Sequence, residues 1–106
     1  MTAWLYLLAA GIFEIGFAVG LKYAEGFTRL WPTVGMAAAG ALSFYLLSVS
    51  MKSLPVGTAY AVWTGIGAVG TVVLGIVLLR ESSDPFRLVS IFLIVAGIVG
   101  LRLSSA

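Results

Sequence analysis

Four long apolar runs divide the chain, and charged residues separate them. The runs cover residues about 3–22, 32–50, 55–79 and 85–103, and each approaches or exceeds the ~20 residues that an α-helix needs to cross a bilayer. The connecting segments are short, so consecutive helices must run antiparallel. The pattern predicts an all-α membrane protein with four transmembrane helices.

The three prolines support these boundaries. Pro32, Pro55 and Pro85 each stand at the opening of an apolar run. Proline suits the first turn of a helix, because the N–H that it lacks has no partner there. The prolines therefore mark the starts of the second, third and fourth helices.

The composition assigns the whole chain to the membrane. Of the 106 residues, 61% are hydrophobic and 9% are charged, against about 25% charged in an average soluble domain. We therefore predict one transmembrane domain over residues 1–106, surrounded by lipid. The sequence has no cysteine or histidine and a net charge of +2, and it shows no catalytic triad or phosphate-binding loop. We expect no enzyme activity, cofactor, metal site or nucleic-acid partner.

Glu14 is the anomaly in the first apolar run. A carboxylate near the bilayer centre costs roughly 2.5–3.5 kcal/mol on insertion scales, so such a residue usually has a function. At helical spacing its neighbours are Ala10, Gly11, Phe17 and Ala18, and we predict that they line a pocket beside it. The alternative is a protonated carboxyl group that bonds to a neighbouring helix.

Three polar side chains in other runs are candidates for the same site. Tyr60 and Trp63 are three residues apart and share a helix face, where their polar tips and ring faces suit a cation or a carboxylate. Ser43 is the deepest polar residue of the second run, and its hydroxyl could orient Glu14. Ordinary packing, or for Ser43 a bond to its own helix, is the alternative.

Small residues in the last two runs predict movement and pairing. Gly65 and Gly67 follow Trp63 closely and predict either a hinge or close helix packing. Ser90 and Gly97 are seven residues apart on one face of the fourth helix, which predicts a dimer contact.

The charges in the loops give little preference for one orientation. Lys22, Arg29, Arg80 and Arg87 flank one side of the predicted bundle, and Lys52 and Arg102 flank the other. So weak a bias is compatible with insertion in both directions and with pairing of two inverted copies. Insertion in a single orientation stays open.

Three segments resemble the small multidrug resistance family. They are AGIFE at residues 10–14, EGFTRLWP at 25–32 and KSLPVGTAYAVWTGIG at 52–67, and the resemblance extends over essentially the whole chain. It implies an antiparallel, dual-topology homodimer in the bacterial inner membrane that exchanges protons for small cations. Glu14 then matches the family's central carboxylate, and Ser43, Tyr60 and Trp63 match the residues around it.

Within the family, Gly11 and the run over residues 57–68 look like the guanidinium-exporter subtype. Phe17 stands where that subtype is expected to carry tryptophan, and residues 25–32 resemble the multidrug branch. We expect guanidinium export, with two protons exchanged per cation by alternating access around paired Glu14 residues. Export of quaternary ammonium and other hydrophobic cations is the alternative, and a proton-translocating or structural subunit of a larger complex is a more distant one.

Overall fold

The computed structural model describes residues 2–104, which form four α-helices. They are α1 (Thr2–Ala24), α2 (Leu30–Ser50), α3 (Val56–Leu79) and α4 (Pro85–Ser104). All four are long and apolar enough to cross a membrane, which confirms the predicted number of spans. The predicted domain of residues 1–106 includes Met1 and residues 105–106, which lie outside the described residues.

The helix starts follow the prolines with small differences. Pro85 is the first residue of α4 and Pro55 directly precedes α3. However, α2 begins two residues before Pro32, at Leu30. Proline is tolerated there because the first four N–H groups of a helix have no intrahelical partner in any case.

Side chains of the α3–α4 turn fix the start of α4. The carboxylate of Asp84 accepts the backbone N–H of Arg87 at 3.0 Å and the hydroxyl of Ser82 at 2.8 Å. These two bonds hold the pKa of Asp84 below its usual range, and the bond from the Arg87 N–H has the larger effect. Asp84 thus caps α4 as a carboxylate. Its negative charge lies at the positive end of the helix dipole, where it stabilises the helix.

The helices are arranged around α1, which packs closely against α2 on one side and α3 on the other. Side chains of α1, α2 and α3 form the core cluster of Leu7, Ala10, Leu47, Ala59, Val62 and Trp63. The last helix packs along α3, and none of its described residues is buried. The resulting bundle leaves most large apolar side chains facing outward, as lipid requires.

Glycine lets the helices of this bundle approach closely. A Cβ atom at Gly20 would lie 2.6 Å from Cβ of Met36, and one at Gly40 would lie 2.7 Å from the ring of Phe17. Both pairs join α1 to α2. Because lipid gives no hydrophobic driving force between helices, such close backbone contact is a main source of their association.

We expect Gly20→Ala to destabilise the protein and Gly35→Ala not to. Both changes gain about 1 kcal/mol of helix propensity, but the added methyl at Gly20 collides with Met36 whereas the one at Gly35 meets nothing within 4 Å. Overpacking costs about 1–3 kcal/mol, so Gly20→Ala should unfold at lower temperature than Gly35→Ala in detergent. Equal midpoints in a circular-dichroism melt would contradict this packing.

Candidate functional site

Glu14 lies halfway along α1 and points at the backbone of α3. A Cβ atom at Gly67 would lie 2.5 Å from Cγ of Glu14, so only glycine permits this approach. The carboxylate lines a cavity of about 330 Å³. The other lining residues are Ala18, Thr64, Gly67, Ala68, Thr71 and Val72.

The carboxylate of Glu14 has unused hydrogen-bonding capacity. Its Oε1 atom is buried and has no partner among residues 2–104. Leaving a buried acceptor unpaired costs about 1–3 kcal/mol, and more for a charged group. A carboxylate can accept two parallel N–H bonds from a planar donor such as guanidinium, so the site is suited to a proton or a small N–H cation.

Ser43 and Trp63 form a second polar system, one helical turn from Glu14. The indole N–H of Trp63 donates to Ser43 Oγ at 2.8 Å, and the Ser43 hydroxyl donates to the carbonyl of Ala10 at 2.6 Å. Both residues are buried. This chain of bonds ties α3 to α2 and α2 to α1.

The Trp63 indole, whose polar tip suits a carboxylate, therefore does not bond to Glu14 in this structure. The serine hydroxyl is buried among apolar side chains, and it takes the indole donor while giving its own proton to Ala10. The link to Glu14 is indirect, because the Ala10 carbonyl is the regular helical acceptor for the Glu14 N–H. The structure brings Ser43 and Trp63 together, but their polar atoms bond to each other and to Ala10 instead of to Glu14. Their roles in binding stay predictions.

Four aromatic rings form a row across three helices. Their centroids are 6.5 Å apart for Phe17 and Phe44, 5.5 Å for Phe44 and Trp63, and 5.5 Å for Tyr60 and Trp63. Tyr60, 56% exposed, is at the open end of the row. Phe44 was not predicted, and nothing in the spacing of the second apolar run marks it.

The predicted pocket-lining residues divide between helix contacts and the cavity. Only Ala18 lines the cavity with Glu14. Phe17 packs against Gly40 of α2, and Gly11 faces Ile66 of α3, where an added Cβ would lie 2.5 Å away. Residue 18 is four positions from Glu14 and stays near its helix face, whereas residue 17 is rotated towards α2.

The predicted hinge and pairing residues have the following surroundings. Gly67 contacts Glu14 and Gly65 faces Ile98 of α4, within a helix that is continuous from Val56 to Leu79. The hydroxyl of Ser90 donates to the carbonyl of Phe86 at 2.7 Å. An added Cβ at Gly97 would meet nothing within 4 Å. The roles of these residues as hinge and dimer contact stay predictions.

Thr64 and Thr71 are cavity residues that the sequence reasoning missed. They are seven positions apart, and Thr71 follows Gly67 by one helical turn. Counting forward from Gly67 at helical spacing would have found Thr71 on the face that meets Glu14.

The sequence matches a known protein family. The family model of the small multidrug resistance protein matches residues 2–94. The chain belongs to the small multidrug resistance family. It is accordingly a transporter rather than an enzyme, and a multi-pass protein of the inner membrane, as the resemblance implied.

Several members of this family are similar to the chain over nearly their whole length. The guanidinium exporter of Yersinia pseudotuberculosis is 58% identical over 103 residues, which cover 97% of this chain and 99% of that protein. The guanidinium exporters of Citrobacter freundii and Salmonella typhimurium are also 58% identical, with 97% of this chain and 98% of theirs covered. The similarity to proteins named guanidinium exporters therefore extends over nearly the whole chain.

We expect Ser43→Ala to destabilise the fold by about 1–3 kcal/mol, because it leaves the buried Trp63 N–H without an acceptor. Ser104→Ala is the matched control, since the Ser104 hydroxyl is exposed and bonds only to its own helix. Thermal unfolding in detergent, followed by tryptophan fluorescence, should show a lower midpoint for Ser43→Ala alone. Similar midpoints for both variants would show that the buried bond contributes little.

Proposed function

We propose that this chain is a proton-coupled antiporter that exports guanidinium and small substituted guanidinium ions. The observation that carries the proposal is the unpaired, buried Oε1 of Glu14 in a cavity at the middle of a membrane span. Such a carboxylate is suited to ligands that the site takes up and releases. The similarity to proteins named guanidinium exporters supports the choice of cation.

Proton entry and cation export are coupled if the proton and the cation bind to the same oxygens of Glu14. A protonated carboxyl group has lost its negative charge and one acceptor site, so it holds guanidinium poorly. When a carboxylate holds guanidinium through two N–H bonds, the positive charge of the cation opposes the arrival of a proton at the same oxygens. Each ligand therefore displaces the other, and proton entry down its gradient drives the cation out.

The stoichiometry of two protons per cation rests on a dimer with two Glu14 residues at one site. We propose that two copies insert in opposite directions and pair as an antiparallel homodimer. The weak charge bias between the two loop sides supports both insertion directions. When the two copies exchange conformations, the shared site opens to the other side of the membrane with the same chemistry.

A broader cation range is the second candidate, and the aromatic row favours it. Phe44 and Tyr60, the accessible members of the row, offer ring faces to a cation that has no N–H groups. Tyr60 and Phe44 are more than half exposed, at 56% and 54%. A quaternary ammonium ion would use these rings together with the charge of Glu14, whereas guanidinium depends on the carboxylate oxygens.

Glu14→Gln should abolish proton-driven transport while the protein stays folded and assembled. The amide keeps the size of the side chain but neither ionises nor exchanges a proton. Currents from purified protein on a supported membrane measure this directly, with guanidinium and tetraethylammonium tested in turn. Glu25→Gln is the matched control, because Glu25 lies in a loop and pairs with Arg29 at 3.4 Å.

Gradient-driven current in Glu14→Gln would refute the role of this carboxylate. Larger currents with tetraethylammonium than with guanidinium in the unmodified protein would favour the broader exporter. A current with neither cation would count against both.

Dual insertion has its own test, which the absence of native cysteine makes simple. Ser53→Cys and Ser83→Cys place single thiols in loops at opposite ends of α3. An impermeant thiol reagent added to intact cells should label a part of each population if the chain inserts both ways. Complete labelling of one thiol and complete protection of the other would show a single orientation.

A further inference from the structure

Two buried polar atoms without a partner lie in one cavity. Among residues 2–104, buried side-chain atoms that lack any hydrogen bond are Glu14 Oε1 and Thr71 Oγ1. Both residues line the cavity of about 330 Å³ between α1 and α3. Two unpaired groups that share one cavity point to a ligand common to both, and water is the simplest.

Thr71, which lies on α3, differs in this respect from three serines on α2 and α4. Ser50, Ser90 and Ser104 each donate to a carbonyl of their own helix, at 2.7, 2.7 and 3.2 Å. Such back-bonding is the usual solution for a hydroxyl within a helix. The Thr71 hydroxyl forms no such bond, so it is free to accept from one neighbour and donate to another.

A second cavity continues the first towards the membrane surface. It measures about 130 Å³ and shares Ala18, Thr71 and Val72 with the cavity of Glu14. At ~30 Å³ per molecule in liquid water, this space corresponds to about four waters. Together the two cavities form a cleft that extends from Glu14 past Thr71 to Lys22 and Glu81.

One face of α1 and one face of α3 line this cleft. On α1 the residues at positions 14, 18 and 22 are spaced by four, and on α3 those at positions 67, 71 and 75 are spaced likewise. Eight residues of α-helix rise about 12 Å. The distance along α1 from Glu14 to Lys22 is therefore short enough for a chain of a few water molecules.

Charged groups surround the outer end of the cleft. The left-handed backbone of Arg80, with φ 56°, ends α3, and the N–H of Glu81 returns to the carbonyl of Gly75 at 3.1 Å. This turn brings the Glu81 carboxylate against Gly75. The other titratable groups there are Lys22 and Tyr23, which line the cleft, and Arg87, which pairs with Glu81 at 3.3 Å.

We propose that the α1–α3 cleft is a hydrated route by which protons reach Glu14 from the membrane surface at Lys22 and Glu81. Thr71 is its positioning residue, because its hydroxyl holds the water chain where the two cavities meet. In each transfer the hydroxyl accepts a proton from one water and passes its own to the next, so it is unchanged afterwards. The inference rests on the proposed function, in which Glu14 takes up protons.

The first test removes the hydroxyl and keeps the shape of the side chain. Thr71→Val should slow proton-driven guanidinium exchange by about tenfold or more, while guanidinium binding at fixed pH, followed by tryptophan fluorescence, stays within about twofold. Thr71→Ser keeps the hydroxyl and should retain the rate. Thr58→Val makes the same chemical change on α3 outside both cavities and should leave the rate unchanged. Exchange as fast in Thr71→Val as in the parent protein would overturn the proposal.

The second test measures water access without depending on transport. In nanodiscs, where both faces meet the reagent, a charged water-soluble methanethiosulfonate should modify Thr71→Cys rapidly. Val73→Cys should stay unmodified, because Val73 lies two residues nearer the end of α3 but lines an apolar groove instead of the cleft. An inert Thr71→Cys would show that the cleft is dry.

The two proposals fail in different ways. Proton-driven current in Glu14→Gln would defeat the proposed function and with it the reason for a proton route. An inactive Glu14→Gln together with a fast Thr71→Val and an inert Thr71→Cys would defeat the route alone.

Discussion

The close approach of α3 to α1 at Glu14 is the constraint on which the rest of the bundle depends. Side chains of α1 occupy the space where Gly67 and Gly70 of α3 would carry a Cβ atom, and a side chain of α3 does the same at Gly11 of α1. Glycine at these positions costs helix propensity, about 1 kcal/mol each relative to alanine. In return the carboxylate is enclosed by protein on one side instead of by hydrocarbon, and a mid-membrane carboxylate is tolerated only in such surroundings.

The buried polar groups of the bundle are of two kinds: those that are fully hydrogen-bonded and those that keep an unpaired atom. Trp63, Ser43 and Ala10 satisfy each other through two short bonds across three helices. A buried network whose members are all paired stabilises one arrangement of its helices. Glu14 and Thr71 retain unpaired atoms only a turn or two away. The paired groups hold α1, α2 and α3 together, whereas Glu14 and Thr71 keep polar atoms available for a ligand.

The four helices followed from the sequence because a bilayer demands about 20 apolar residues per span and admits few charges within it. Pro55 and Pro85 marked helix starts for an equally local reason. The rotation of each helix about its own axis could not be predicted from the sequence. Lipid-facing and protein-facing positions are both apolar, so no polar face distinguishes them. Contacts between glycine and larger side chains set that rotation instead. This is why Phe17 was expected beside Glu14 but packs against Gly40.

The same reasoning explains why the carboxylate was found from sequence and its surroundings were not. A lone charge in an apolar run is visible without any knowledge of helix packing, whereas Thr71 and Phe44 acquire meaning only through the helix that each one faces. The side chain of Glu14 packs against Gly67 of α3, whereas the ring of Phe17 packs against Gly40 of α2 and lies 6.5 Å from the ring of Phe44. Glu14 and Phe17 thus belong to different helix contacts of α1. Residue 17 is not among the residues that line the cavity of Glu14. A different ring at this position therefore changes the contact between α1 and α2 and leaves the lining of that cavity unchanged.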